Sequence, residues 1–193
     1  RYLRCMETEF DLNLRQGLPP HLRVLADKFP RTTWQGHPNF SQLTAFWLDR
    51  HVMFRQILAK LVEDTQLHLD GKSGPRYGAE LSRYTGFFLD QLHSHHGIED
   101  HHYFPQFKPL DARVARAFDL LDGDHHALDG HLHHLAEHTN AVLRALQAGQ
   151  HSRDSAAQLL ACHTGFTRFL DRHLCDEEEV IVPLVLEYAP DIG

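Results

Sequence analysis

A chain of 193 residues with a net charge of -7 and no Lys/Arg-rich run offers no surface suited to nucleic acid. Its composition, 42% apolar and 23% charged, is that of one globular domain with a sizeable core, and no apolar run approaches the ~18 residues of a membrane span. Three cysteines (Cys5, Cys162 and Cys175), odd in number and without a C-x-x-C pair, fit a reduced, cytoplasmic setting.

Residues 1–40 read as an irregular extension. Pro19, Pro20, Pro30, Gly36 and Pro38 break any long period, and Leu22, Leu25 and Phe29 leave room for one short helix after Pro20. From Ser41, a natural N-cap, the pattern turns helical: Leu43, Phe46, Trp47, His51, Phe54, Leu58 and Leu61 recur at threes and fours. This first long helix runs to Leu69 and ends in the loop Asp70-Gly71-Lys72-Ser73-Gly74-Pro75. A second spans Tyr77 to Phe104, stopped or kinked by Pro105 and Pro109. A third runs from Asp111 to Leu146, weakened by Gly123 and Gly130. After the turn Gly149-Gln150-His151, Ser152 or Asp154 caps a fourth that reaches Leu186, with Pro183 as an internal kink. No stretch alternates as a strand does, so the fold class is all-α, an up-down-up-down four-helix bundle.

The chemistry lies in the histidines, 18 in all, five of them between His93 and His102 and six between His125 and His138. Two stretches share one pattern: His95-x3-Glu99-x5-Pro105 and His173-x3-Glu177-x5-Pro183. A step of four on a helix turns about 400°, so each histidine and glutamate share a face and can grip one metal ion. Short loops make sequential helices antiparallel, which allows heights to be matched by counting. About residue 73, His51 lies 22 before and His95 22 after; about residue 150, His125 lies 25 before and His173 23 after. His51 and His125 each lead an apolar stripe at +3, +7 and +10 (Phe54, Leu58, Leu61 and Leu128, Leu132, Leu135), so each faces the core.

His51, His95, Glu99, His125, His173 and Glu177 therefore converge as candidate metal ligands. Buried without a partner, each ionised group would cost several kcal/mol; a cation removes that penalty. Two carboxylates and four imidazoles exceed one tetrahedral ion, so two ions bridged by Glu99 and Glu177 fit the count. Nitrogen and oxygen donors without thiolate suit iron or manganese, and also zinc or copper.

The pattern His-His-x-x-Glu at 95–99 with Phe-Pro at 104–105 resembles the hemerythrin family, in its bacterial HHE cation-binding branch. The resemblance covers residues 41–186 and divides the chain into an extension, 1–40, and a hemerythrin-like bundle, 41–188. It implies two iron ions joined by an oxygen bridge, with zinc or manganese as substitutes, both glutamates spanning the pair, and one ion open to O2 or a related diatomic or peroxide ligand. The sequence departs from the oxygen carriers of that family twice. Their third helix offers two histidines four apart, where His125 is followed by Asp129, a carboxylate substitute; their fourth places an aspartate five after its histidine, where Glu177 stands at +4 and Glu178 at +5.

Blander roles fall to other residues. His126 stands as the alternative to His125, His134-x3-His138 reads as a solvated face, and His102 lies at the surface or by an open metal position. His163 packs rather than ligates. His93, His96, His101, His131 and His133 take no functional role. Phe46, Trp47, Phe54, Phe87, Phe88, Phe166 and Phe169 read as core. The function expected is a di-iron module that binds O2, NO or peroxide for storage, delivery or sensing. The alternatives are an enzyme handling peroxide, NO or Fe(II), and a structural metal or sensor domain acting through a partner of residues 1–40. No nucleic acid or membrane partner is expected.

Overall fold

The computed structural model describes residues 9–191; Cys5 lies outside them. The order is a 3-10 turn Pro20–Leu22, α1 Val24–Lys28, a 3-10 turn Arg31–Thr33, α2 Gln42–Leu69 and α3 Tyr77–Ile98. A π-helical turn Glu99–Tyr103, α4 Phe104–Phe107 and a 3-10 turn Lys108–Leu110 follow, then α5 Ala115–Gln147 and α6 Arg153–Tyr188. There is no strand among the described residues, and α2, α3, α5 and α6 are the four long helices of an all-α up-down-up-down bundle.

Local chemistry explains the ends. The Ser41 hydroxyl accepts the Thr44 N–H at 3.1 Å and caps α2. Of the two caps offered for α6, Ser152 takes the position, its carbonyl accepting the Ala156 N–H at 2.8 Å. Gly71 and Gly149 close the two loops at φ +71° and +62°, conformations that favour glycine.

The prolines behave differently from expectation. Pro105 neither stops nor follows a broken helix. The chain stays helical through the π turn, which re-phases it, and Pro105 lies in the turn that follows, Phe104–Phe107. The third long helix begins at Ala115 rather than Asp111, because Asp111 is spent on a turn of its own, accepting the Arg113 N–H at 2.9 Å on its side chain. Gly123 and Gly130 leave α5 unbroken; their cost of ~1 kcal/mol each is small beside the burial of Leu121, Leu128 and Leu132 around them.

The chain forms two compact units: residues 1–51, 95–127 and 171–193 in one, 52–94 and 128–170 in the other. The second is apolar at its centre, where Phe88 meets Phe54 and Phe166 edge-on at 6.1 and 5.9 Å. At its loops His68 bridges Ser73 and Ser152 at 2.9 and 2.7 Å while stacking on Tyr77, which fastens both connections. Phe46 and Phe87 do not join a core: they are 61% and 45% exposed, so aromatic character alone misplaced them.

In the first unit the residues before α2 are packed rather than loose. Leu18, Leu22 and Leu25 join Phe118, Leu121 and Val180 in one buried cluster, and Trp34 packs with Val182 and Leu186 in another. The consequence shows on α6, where every residue from Val180 to Leu186 is buried. A bundle helix ordinarily keeps one wet face; here residues 18–34 cover it.

Leu22→Ala should cost about 3 kcal/mol, read as a lowered urea midpoint; an unchanged midpoint would contradict the packing. A second expectation concerns His163, fully buried in the second unit with both ring nitrogens lacking a hydrogen-bond partner. Burial lowers this imidazole from 6.5 to about 4. The unfolded chain then binds more protons between those values, so stability declines as pH falls from 6.5 towards 4, by up to about 3 kcal/mol. His163→Leu should flatten that acid limb in thermal melts at matched metal content; parallel limbs would refute it.

Candidate metal centre

Four elements of the first unit deliver the polar groups. α2 brings His51, α3 and its π turn bring His95, His96, Glu99 and Asp100, α5 brings Asp124 and His125, and α6 brings His173, Asp176, Glu177 and Glu178. On α3 the residue pairs His95/Glu99 and His96/Asp100 are each four apart, so two adjacent histidines and two adjacent carboxylates form parallel couples about 100° apart on one helix. Both couples bury their histidine.

Two groups of donors result. His51, His95, Glu99 and Glu177 bring ligand atoms within 4.8 Å of one another, and so do His96, His125 and His173. In the first group the Nε2 atoms of His51 and His95 stand 3.0 Å apart, and His95 Nε2 lies 2.9 Å from Glu99 Oε1. The carboxylates reach towards both groups. Glu99 turns its other oxygen to His125 Nε2 at 3.7 Å, while Glu177 has one oxygen 3.4 Å from His51 Nε2 and the other 3.9 Å from His125 Nε2. His173 Nε2 is 3.8 Å from Glu177.

The outer side of each ring is held as well. Nδ1 of His51 meets Glu178 Oε1 at 2.9 Å, that of His125 meets Asp100 Oδ1 at 2.7 Å, and that of His173 meets Asp124 Oδ2 at 3.1 Å. An ionised carboxylate only accepts, so each Nδ1 carries the proton and each Nε2 points a lone pair inward. Carboxylate-backed imidazoles of this kind are the usual outer support of metal-binding histidines. His96 has no such backing. Its ring lies flat against His125, centroids 4.0 Å apart, with its edge to His173. Trp47 closes the first group, donating from Nε1 to Glu99 Oε1 at 2.7 Å, and Phe104 stacks on His125 on the other side.

Seven buried atoms here have no hydrogen-bond partner: both nitrogens of His96, Nε2 of His125 and His173, Glu99 Oε2 and both oxygens of Glu177. Each orphan costs ~1–3 kcal/mol, more where charge is involved. Burial works against charge on both glutamates. At Glu99 the imidazoles of His95, His125 and His51 outweigh it and bring the carboxyl down to about 2. At Glu177 burial and the charge of Glu99 act together and push the carboxyl well above its ordinary range. Three of the imidazoles are held towards the neutral form: burial lowers His51 to about 4, burial lowers His173, and burial with the neighbouring rings lowers His96 far below its ordinary value. Neutral nitrogens and carboxylates with unused lone pairs, turned towards one another in a dry interior, are what a metal cation satisfies.

Set against the sequence reading, the structure brings His51, His95, Glu99, His125, His173 and Glu177 together. It adds His96, which had been given no role, and removes others. Asp129 is exposed, and His96, from the neighbouring helix, is the residue that lies with His125 and His173 in the second donor group. His126 is exposed, its ring on the Asp122 carbonyl at 2.8 Å, and His102 is exposed too. Glu178 turns to the back of His51 instead of inward. The signal for His96 was its own partner at +4, Asp100.

The family model described as Hemerythrin HHE cation binding domain matches residues 42–185. No curated protein and no solved structure matches the chain. No helix among the described residues is long and apolar enough to cross a membrane. With the helical bundle and the two donor clusters described, one of histidines and one of histidines and glutamates, the chain belongs to the hemerythrin HHE cation-binding family, a metal-binding domain.

Proposed function

We propose that this protein holds two iron ions and binds O2, or a similarly small ligand such as NO, at the pair. In this reading His51 and His95 hold one ion, His96, His125 and His173 hold the other, and Glu99 and Glu177 bridge them. The observation that carries the reading is the set of seven orphaned buried atoms, which belong to His96, His125, His173, Glu99 and Glu177, together with the two donor groups between which the two carboxylates lie. Donor spacing supports it. Two atoms bonded at ~2.1 Å to one ion and at right angles stand ~3.0 Å apart, and the two contacts of His95 Nε2, to His51 and to Glu99, measure 3.0 and 2.9 Å. Zinc and manganese fit the same donors and would compete.

An iron pair supplies reversible electron sharing with a bound diatomic. The residues do the rest. The ion held by two histidines would have one fewer protein donor than its partner and would be the place for an added ligand, beside Trp47. Indole Nε1 steadies Glu99 there and the ring, 4.2 Å from that of His51, shuts out water. Glu177 gives up its proton when the cation arrives, because the carboxylate is then the stabilised form. Exposures of 0–9% across the seven donor residues admit only a ligand of a few atoms, which favours small-molecule binding over turnover of a larger substrate.

Protein from iron-replete cells should contain two iron atoms per chain, and the anaerobic reduced form should gain a visible band in air that disappears under vacuum. Irreversible oxidation on first contact, or steady turnover of peroxide, would replace binding with catalysis. His96→Ala should lose about one equivalent of metal and keep the helical circular dichroism; retention of both would return the ligand set to the other six residues. Removing metal with a chelator should lower the melting temperature, since a ligand at about a thousand times its Kd stabilises by about 4 kcal/mol. Identical melts with and without metal would count against any cation in the core.

A further inference from the structure

The family match begins at residue 42, yet two arginines that precede it reach the back of the centre. Arg15, 6% exposed, forks onto Asp124 at 3.0 and 2.5 Å and donates from Nε to Asp176 at 2.7 Å. The Asp124 oxygen it grips at 2.5 Å is the one that accepts from His173 Nδ1. Arg31 repeats the arrangement on the other donor group. It donates to Glu178 Oε2 at 2.6 Å, and Glu178 Oε1 accepts from His51 Nδ1. Each chain of contacts runs arginine, carboxylate, histidine, and each ends on a different group of candidate ligands.

Charge explains why the arrangement matters. Asp124 and Glu178 stand behind His173 and His51, with Asp176 joined to Asp124 through Arg15, and Arg15, Arg31 and Arg172, which also holds Asp176, set positive charge against these carboxylates. A carboxylate behind an imidazole makes that imidazole a stronger donor. A guanidinium on the same carboxylate draws charge away from the ring and fixes the carboxylate's direction. We infer that Arg15 and Arg31 are positioning residues of the metal centre: each aims the carboxylate that orients a ligand histidine and tempers its charge, so that the segment before the bundle helps set how readily the metals are oxidised. This rests on the two-metal reading above.

Arg31 is the better test because its side chain is 42% exposed, whereas that of Arg15 is buried. Arg31→Gln should keep two irons per chain and shift the reduced-to-oxidised ratio about tenfold towards oxidised, a midpoint lower by ~59 mV for one electron. Arg31→Lys, which restores the charge, should recover most of that shift. A second readout needs no iron: Zn(II) added to metal-free protein should slow broad-specificity proteolysis between residues 15 and 40, and slow it less in Arg31→Gln. A parent chain that takes up no metal defeats the two-metal reading itself. A metal-loaded parent whose Gln variant keeps the midpoint and the zinc protection, or whose Lys variant shifts as far as Gln, overturns only the inference.

Discussion

Two carboxylates that cannot both be charged in a dry core organise this molecule. Glu99 and Glu177 are 1% and 0% exposed and lie among buried imidazoles, of which burial holds His51, His96 and His173 towards the neutral form. Left to itself, the pair keeps one proton and several unused lone pairs, an expensive arrangement in low dielectric. A divalent cation reverses the sign of that cost, because both carboxylates then bind in the charged form that burial otherwise penalises, while the imidazoles bind through neutral nitrogens. The bundle is thus less a container for a metal than a fold whose polar interior is completed by one.

Support spreads outward from those carboxylates in layers. The nitrogens facing inward are defined by carboxylates behind the rings, and two of those carboxylates are defined in turn by arginines from outside the bundle proper. The π turn at Glu99–Tyr103 belongs to the same logic. It lets Glu99 point to the centre and Asp100 to His125 before the chain is re-phased for α4, and such widened turns recur at functional sites. Apolar packing of Leu22 and Trp34 against α6 carries the arginines to their places.

Much of this was written in the sequence in a form that counting recovers. Nearly equal offsets about two short loops put four histidines at about one height, and apolar stripes told which side they faced. His96 escaped because one imidazole per helix was assumed, although the spacing His96-x3-Asp100 repeats that of His95-x3-Glu99. The π turn escaped because a proline ahead of a loop reads as a stop, and only tertiary packing shows that the turn before it widens. Arg15 and Arg31 carry no period at all; single arginines in an irregular stretch gain meaning only from what they touch. The unbroken apolar run Val180–Leu186 was a legible warning that something covers that end of α6 on every side.

Anomalous X-ray scattering from crystals of the iron-loaded protein, recorded at the iron edge, tests the central claim most directly. The account predicts two peaks, one between His51 and His95 and one among His96, His125 and His173, with Glu99 and Glu177 touching both. A single peak, or density for water alone among these residues, would contradict it.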